Sequence, residues 1–349
     1  MNIVEKIKKA GLIGRGGACF PVADKWTMVS AAKGTDKYVV CNCSEGEPGV
    51  KKDGYIVEHF ADRVIDGMAI AMKFLNVKKG FFYINHNYYK KHKKLLEKEV
   101  SKTGINIEVF SKPFEAGYIG GEETTSLNVI EGKRAEPRFR PPFPPTSGLW
   151  GAPTLVNNVE TFYNVSLVEK NEYLGERFYT VSGDCLYEGV YKFAADLPIK
   201  KILSDTHNFP KFPFFVQIGG DGSGEVLSEK MLERPVTGAG SIHVYSLEKY
   251  QPAKLMLGWL NFFHNESCGQ CTPCREGTYR LKEIFEKDDI DWKATTEILM
   301  SLSDSAFCGL GCAVPIPVRS FVNNVLKTYP AAKIKLPKET LMAICECFN

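Results

Sequence analysis

The chain has 349 residues, 44% hydrophobic and 24% charged, with a formal net charge of +3. That length exceeds what one hydrophobic core usually serves, so two or three folded domains are expected. So small a net charge makes no electrostatic case for nucleic acid or an anionic membrane surface, and no run of about 18 apolar residues offers a membrane span. The densest basic run, Lys90-Lys-His-Lys-Lys94, reads as the exposed face of a helix. Eleven cysteines, with no apolar leader after Met1, point to thiolates held reduced in a cytoplasm rather than to a disulfide framework.

In chain order, residues 1–172 read as α/β. Lys37–Cys41 and Gly80–Ile84 are short apolar runs with the branched and aromatic residues of buried strands. Asp62–Leu75 between them carries Val64, Ile65, Met68, Ala69, Met72 and Leu75 at helical spacing, Asn87–Val100 is a second helix, and Ile105–Phe110 alternates like a strand. This βαβαβ succession favours a mostly parallel sheet with ligands at its strand ends. Pro137–Pro145 cannot be regular helix and either links domains or shapes a pocket. Residues 173–250 turn to short strands, Arg177–Ser182, Gly189–Tyr191, Phe214–Ile218 and Ser241–Tyr245, the pattern of a small mixed β domain. Residues 251–349 return to helices at Pro252–His264, Gly277–Glu286, Trp292–Leu302 and Val318–Tyr329, a four-helix bundle around cysteine-bearing loops.

Those loops carry the most specific signal. Cys268, Cys271 and Cys274 recur every third residue, so one short loop can aim three thiolates at three corners of a [4Fe–4S] cluster. Cys308 is the first candidate for the fourth ligand and Cys312 its rival. Zinc, which usually takes two separated ligand pairs, fits this spacing less well. Cys345-Glu-Cys347 reads either as a further ligand pair or as spare thiols in a terminal segment.

Four glycine-rich or acidic segments lie in the first 160 residues. Gly14-Arg-Gly-Gly-Ala-Cys-Phe-Pro21, followed by Lys25, lets backbone N–H groups approach a phosphate, with Arg15 and Lys25 adding charge. Asn42-Cys-Ser-Glu-Gly-Glu-Pro-Gly49 places Glu45 and Glu47 where α/β sheets bind ligands, and those carboxylates suit ribose hydroxyls and repel a 2′-phosphate. Gly117–Thr124 pairs glycines with Glu122 and Glu123, and Gly148–Glu160 contains Asn157 and Asn158. Together they suggest one polar cleft for a flavin, a dinucleotide, or both.

Taken together, Gly14–Trp26, Asn42–Gly49 with Lys52-Asp53, Tyr118–Glu123, Glu131–Arg134, Pro141–Glu160 and Glu266–Gly277 with Cys308 resemble the FMN-carrying, NADH-oxidising subunit of respiratory complex I. The resemblance extends to its relatives in NAD-linked hydrogenases and formate dehydrogenases. It implies a Rossmann-like N-terminal domain (1–172), a β-grasp middle domain (173–250) and a helical bundle (251–349) carrying [4Fe–4S]. It places the FMN phosphate and ribityl chain on Gly14, Arg15, Gly16, Gly17, Lys25, Asn42, Asn157 and Asn158, beside Glu45 and Val156, with Gly121 and Glu122 at the ring. NAD(H) would stack on Phe20 and Phe143, near Glu47, Tyr118 and Glu123. Cys268, Cys271, Cys274 and Cys308 would hold the cluster. No side chain need act as a general acid or nucleophile. The partners implied are a [2Fe–2S] thioredoxin-like subunit and a further iron–sulfur or catalytic subunit.

The chain departs from that pattern at Cys19 (usually glycine), Ser44 (aspartate), Met28 (an aromatic) and Arg140 (lysine). These changes motivate an alternative, an electron-relay or assembly subunit with a degenerate flavin site. A third reading, the membrane-linked ferredoxin:NAD⁺ oxidoreductase subunit, usually carries two cluster motifs, whereas one is found here.

Overall fold

The computed structural model of the chain describes residues 1–34, 36–329 and 338–348, with the side chains of Lys338 and Cys345 outside the described set. The chain divides into two compact units, Met1–Gly46 with Lys51–Phe178, and Glu47–Val50 with Tyr179–Asn349.

The first unit contains α1 (Ile3–Lys9), α2 (Val22–Ala31), β1 (Tyr38–Cys43), α3 (Lys52–Leu75), β2 (Lys79–Ile84), α4 (His86–Thr103), β3 (Ile107–Ser111), α5 (Glu123–Ile130), β4 (Thr154–Asn158) and α6 (Val159–Glu169). Its strands are all parallel, in the order β3-β2-β1-β4. β1 and β2 are buried along nearly their whole length, which explains their continuous apolar runs. β4 is not signalled by the sequence pattern, because its five residues follow a proline- and glycine-rich stretch and end in two asparagines. It lies on the opposite side of β1 from β2, so the strand order reverses between β1 and β4, the position where open α/β sheets bind ligands.

α3 begins ten residues before its apolar periodicity does. Its first turn buries the charged pair Lys52 and Asp53, which a hydrophobic pattern cannot register. Val64, Ile65, Met68 and Met72 then form the buried stripe that the spacing predicts.

The second unit contains a sheet of order β6-β5-β9-β7-β8, from β5 (Glu176–Gly183), β6 (Gly189–Ala194), β7 (Phe214–Ile218), β8 (Glu225–Ser228) and β9 (Ser241–Ser246). β5 and β9 are parallel, whereas β7 is antiparallel to both β8 and β9. Ile199, Ile202 and Leu203 of α7 (Ile199–Asp205) are fully buried against Tyr179, Val181, Phe214 and Val244 of that sheet. The helical part comprises α8 (Pro252–Glu266), α9 (Thr272–Phe285), α10 (Trp292–Ser305), α11 (Gly309–Ala313), α12 (Pro315–Phe321) and α13 (Lys338–Cys347). The helix expected over Val318–Tyr329 is α12 followed by a π-helical turn, Val322–Leu326. No helix among the described residues is long and apolar enough to cross a membrane.

Candidate functional site

At the reversal point, Gly14–Pro21 forms a closed loop. The Gly14 N–H donates to the Phe20 carbonyl at 2.8 Å, and Ile13 bridges Pro21. Gly16 lies so close to Asn158 that a Cβ would come 3.2 Å from its side chain, and Gly17 has φ +107°. Arg15 is 5% exposed. Its backbone N–H donates to Thr161 Oγ1 at 3.0 Å, its guanidinium reaches Tyr173 Oη at 3.1 Å, and its Nε has no partner. A buried, partly unsatisfied guanidinium beside a loop of close-approaching backbone is chemistry suited to a phosphate. Cys19 has φ +53°, the left-handed region that favours the glycine usual there, and its side chain is exposed.

The amides of β1 and β4 hold this region together. Asn42 Nδ2 donates to the Gly121 carbonyl at 2.9 Å, and Asn158 Nδ2 donates to the Asn42 carbonyl at 3.2 Å and to Asp53 Oδ2 at 2.8 Å. Asn157, with its amide oriented to satisfy both ends, accepts from Trp26 Nε1 at 3.0 Å and donates to the Val156 carbonyl at 3.0 Å. Lys25 Nζ joins Glu123 Oε1 at 2.7 Å and the same Val156 carbonyl at 3.1 Å. Gly121 sits where a Cβ would meet Ser44 Oγ at 2.5 Å, so the chain passes Ser44 there with no room for a side chain.

Glu122 caps α5. Its Oε2 accepts from the N–H groups of Thr124 (2.9 Å) and Thr125 (2.8 Å) and from both threonine hydroxyls, while Oε1 pairs with Arg140. Tyr118 packs on Gly46, whose Cβ position is 3.0 Å from the Tyr118 Cα. Phe20 (40% exposed) and Phe143 (53%) are exposed aromatics, with Lys25 Nζ over the Phe20 ring at 5.9 Å from its centre, and Met28 is half exposed.

Glu45 and Glu47 are each held by hydrogen bonds within their own unit. Glu45 turns to the start of α3, accepting from the Asp53 N–H at 2.7 Å, the Gly54 N–H at 3.1 Å and Tyr88 Oη at 2.6 Å. Burial first, and then the Asp53 charge, push its carboxyl up to about 7, against the opposing pull of Lys52. Burial acts to lower Lys52, but the carboxylates of Asp53 (2.6 Å), Glu160 (3.0 Å) and Glu45 hold its ammonium above the usual range. Sequence reasoning assigned no role to Lys52, Asp53 or Glu160. The adjacent opposite charges Lys52-Asp53 right after a glycine turn were the available signal. Glu47 belongs to the second unit, where Oε1 accepts from the Gly222 N–H (3.0 Å) and the Ser223 N–H (2.7 Å), and Oε2 from Ser223 Oγ (2.8 Å).

The cysteines gather in the helical part of the second unit. Cys274, in the first turn of α9, is buried, and burial together with the charges of Cys271, Cys308 and Cys268 pushes its thiol up to about 12, against a hydrogen bond from Ser267. Ser267 Oγ lies 3.2 Å from Cys274 Sγ, and Arg275 ties the loop by donating to the Gly269 carbonyl at 2.9 Å. Cys268, Cys271 and Cys308 lie near enough to Cys274 for their charges to act on it, and cysteine thiolates are the usual donors to an iron–sulfur core. Cys312 is exposed, with Sγ 3.5 Å from the Ala306 carbonyl, and of these four thiols only Cys271 contributes to raising it.

The glycine-rich loop at the strand-order reversal of one unit and the cysteine-bearing loops of the other fall in the two regions that mark a flavin-binding iron–sulfur protein. Residues 7–167 match the family model described as the Nuo51 FMN-binding domain, and residues 254–331 match the NADH-ubiquinone oxidoreductase-F iron-sulfur binding region. The chain belongs to the family of NADH-quinone oxidoreductase F subunits. The F subunit of the Aquifex aeolicus NADH-quinone oxidoreductase is 30% identical over 97% of this chain and 87% of its own length. The NADP-reducing hydrogenase subunit HndC of Solidesulfovibrio fructosivorans is 31% identical over 95% of this chain and 76% of its own. An NAD⁺-reducing [NiFe]-hydrogenase crystal structure in the H₂-reduced state superposes with a TM-score of 0.87 at 28% identity, covering 96% of this chain and 62% of that one.

Proposed function

We propose that this chain is the NADH-oxidising or NAD⁺-reducing electron-transfer subunit of a multisubunit oxidoreductase, exchanging hydride through FMN and single electrons through a [4Fe–4S] cluster. The observation that carries this reading is the pairing, in one chain, of the Gly14–Phe20 cradle at the strand-order reversal with the Cys268, Cys271, Cys274 and Cys308 thiols. FMN, stable with zero, one or two added electrons, supplies the step between a two-electron hydride donor and a one-electron cluster.

The chain's own part is binding and orientation. Arg15 and the N–H groups of Gly16 and Gly17 hold a phosphate, with Lys25 adding charge. Asn42, Val156, Asn157 and Asn158 set the wall of the pocket, Gly121 allows a planar ring to lie close, and Glu122 fixes the α5 terminus beneath it. Phe20 and Phe143 stack a base, a contact worth about 1–3 kcal/mol. Tyr118 and Glu123 meet the polar groups of the dinucleotide, and the Glu47 charge disfavours a 2′-phosphate. Cys268, Cys271, Cys274 and Cys308 supply four thiolates to the cluster.

One cluster and one flavin need an acceptor, so a [2Fe–2S] thioredoxin-like subunit and a further iron–sulfur or catalytic subunit are the partners inferred, in the cytoplasm. Three domains, 1–172, 173–250 and 251–349, correspond to the flavin, β-grasp and cluster functions.

Anaerobic titration of the purified protein with NADH, read in the visible flavin and cluster bands, tests the reading. Bleaching at low stoichiometry, with FMN released on denaturation, is expected. A brown protein with cluster absorbance, no flavin and no response would instead favour the relay or assembly subunit that Cys19 and Ser44 motivate.

A further inference from the structure

On the reading that Cys274 is one of the cluster's ligands, we propose that Ser267 sets the reduction potential of the [4Fe–4S] cluster by donating a hydrogen bond to the Cys274 sulfur. Ser267 Oγ lies 3.2 Å from Cys274 Sγ. A hydroxyl and a thiol can share such a bond in either sense. A cysteine bound to iron is a thiolate with no proton to give, so in the loaded protein only the serine can donate.

The local backbone prepares the hydroxyl for that role. Ser267 ends α8 in an extended conformation (φ −64°, ψ 126°), with its own N–H on the His264 carbonyl at 3.4 Å. The chain then turns at Gly269, whose φ of +74° returns the Gly269 N–H to Ser267 Oγ at 3.3 Å. That N–H takes one lone pair of the oxygen and leaves the hydroxyl proton for the sulfur. Arg275 holds the turn from the other side, donating to the Gly269 carbonyl at 2.9 Å while its Nε pairs with Glu276 at 2.8 Å. Cys274 is confined as well. It is 5% exposed in the first turn of α9, and a Cβ on Gly311 of α11 would lie 3.6 Å from its Sγ. The bond therefore ends on a buried sulfur, where its electrostatic effect is screened less than in water.

Reduction by one electron adds one negative charge to the cluster and its thiolates. A donor on one of those sulfurs stabilises the reduced form more than the oxidised form, and so raises the potential. Ser267 thus acts through Cys274 to make the cluster a readier acceptor of single electrons.

An anaerobic redox titration of the full chain, with dithionite as reductant and the reduced cluster followed by EPR, reads this potential without flavin or NADH turnover. At the wild-type midpoint, the ratio of reduced to oxidised cluster in Ser267→Ala should be about tenfold lower, a shift of about 59 mV for one electron. Ser267→Thr should titrate like wild type. Ser267→Val, of the same shape as threonine but without the hydroxyl, should titrate like Ser267→Ala, and this pair decides the question where the alanine variant holds no cluster. An unchanged potential in Ser267→Ala or Ser267→Val, with iron at the wild-type level, would overturn the proposal. So would a wild-type reduced cluster that shows no exchangeable-proton coupling in electron–nuclear double resonance when H₂O is compared with D₂O. A full cluster in Cys274→Ala would instead remove Cys274 from the ligand set and overturn the reading on which the role of Ser267 rests.

Discussion

Cys308 and Cys312 stand four residues apart at the two ends of one short turn, and their surroundings separate them. Cys308 contributes, with Cys268 and Cys271, to raising the buried Cys274 thiol, while Cys312 is exposed. Cys308→Ser should therefore lower the iron bound per chain, and Cys312→Ser should leave it at the wild-type level, as measured by colorimetric iron assay on anaerobically purified protein. At Glu47, three hydrogen bonds from Gly222 and Ser223 hold the carboxylate in one orientation. Glu47→Gln should raise kcat/KM for NADPH relative to NADH by roughly tenfold, about the effect of one partly screened charge. An unchanged ratio would remove Glu47 from cofactor selection. The three clustered cysteines were legible because ligand spacing is local in sequence. Glu45 was not, because its partners Asp53, Gly54 and Tyr88 lie 8 to 43 residues away, and only the fold brings them to its carboxylate.

The start of α3 relies on Glu45 as a capping group from outside the helix, and this has a pH signature. The Glu45 carboxyl titrates near 7 in the folded chain, above its ordinary value of 4.5, so the folded state holds the proton more tightly. Its contribution to stability is full below about pH 4.5 and is lost as pH rises through 7, a change on the order of 3 kcal/mol. Glu45→Gln should lower the overall Tm by removing acceptors from α3 while flattening the fall in Tm between pH 5 and pH 8. A parallel fall in both proteins would assign that slope to other groups. Further along the same helix, a Cβ on Gly67 would lie 2.0 Å from the Phe162 carbonyl of α6, so the two helices meet there with no room for a side chain. Gly67→Ala should cost about 3 kcal/mol or more, seen as a lower midpoint in denaturant unfolding. Helices and strands with strong apolar periods, such as β2 and the later turns of α3, were readable from sequence. The first turns of α3 and all of β4 were not, since charged pairs and asparagines occupy positions that burial alone would give to apolar residues.

For the molecule as a whole, motif blocks spread from Gly14 to Cys308 made the family and its cofactors legible, and the turn to short strands at residue 173 lies close to the division after Phe178. Nothing in Glu47–Val50 marks those four residues as belonging with a sheet that begins far downstream. The two-unit arrangement also predicts where loss of metal is felt. With the cluster held by Cys268, Cys271, Cys274 and Cys308 as proposed, loss of iron removes the counter-charge of those thiolates, so anaerobic chelation should increase hydrogen exchange across residues 267–275 and 306–313. Exchange in β7 and β9, whose ladder is closed by backbone bonds, should remain at the holoprotein level. Equal loosening of both regions would mean that the cluster supports the entire second unit.

The bond from the Gly222 N–H to Glu47 closes a span of 175 residues. At synthesis rates of 5–20 residues per second, that contact waits roughly 9–35 s after Glu47 emerges from the ribosome. Throughout that interval Glu47–Val50 is an unanchored loop interrupting an otherwise contiguous unit, and any fragment ending before Gly222 keeps it so. The residue proposed to select the nicotinamide cofactor is therefore among the last in the first 50 to be fixed, and on that proposal dinucleotide selectivity is acquired only once Gly222 and Ser223 have been made.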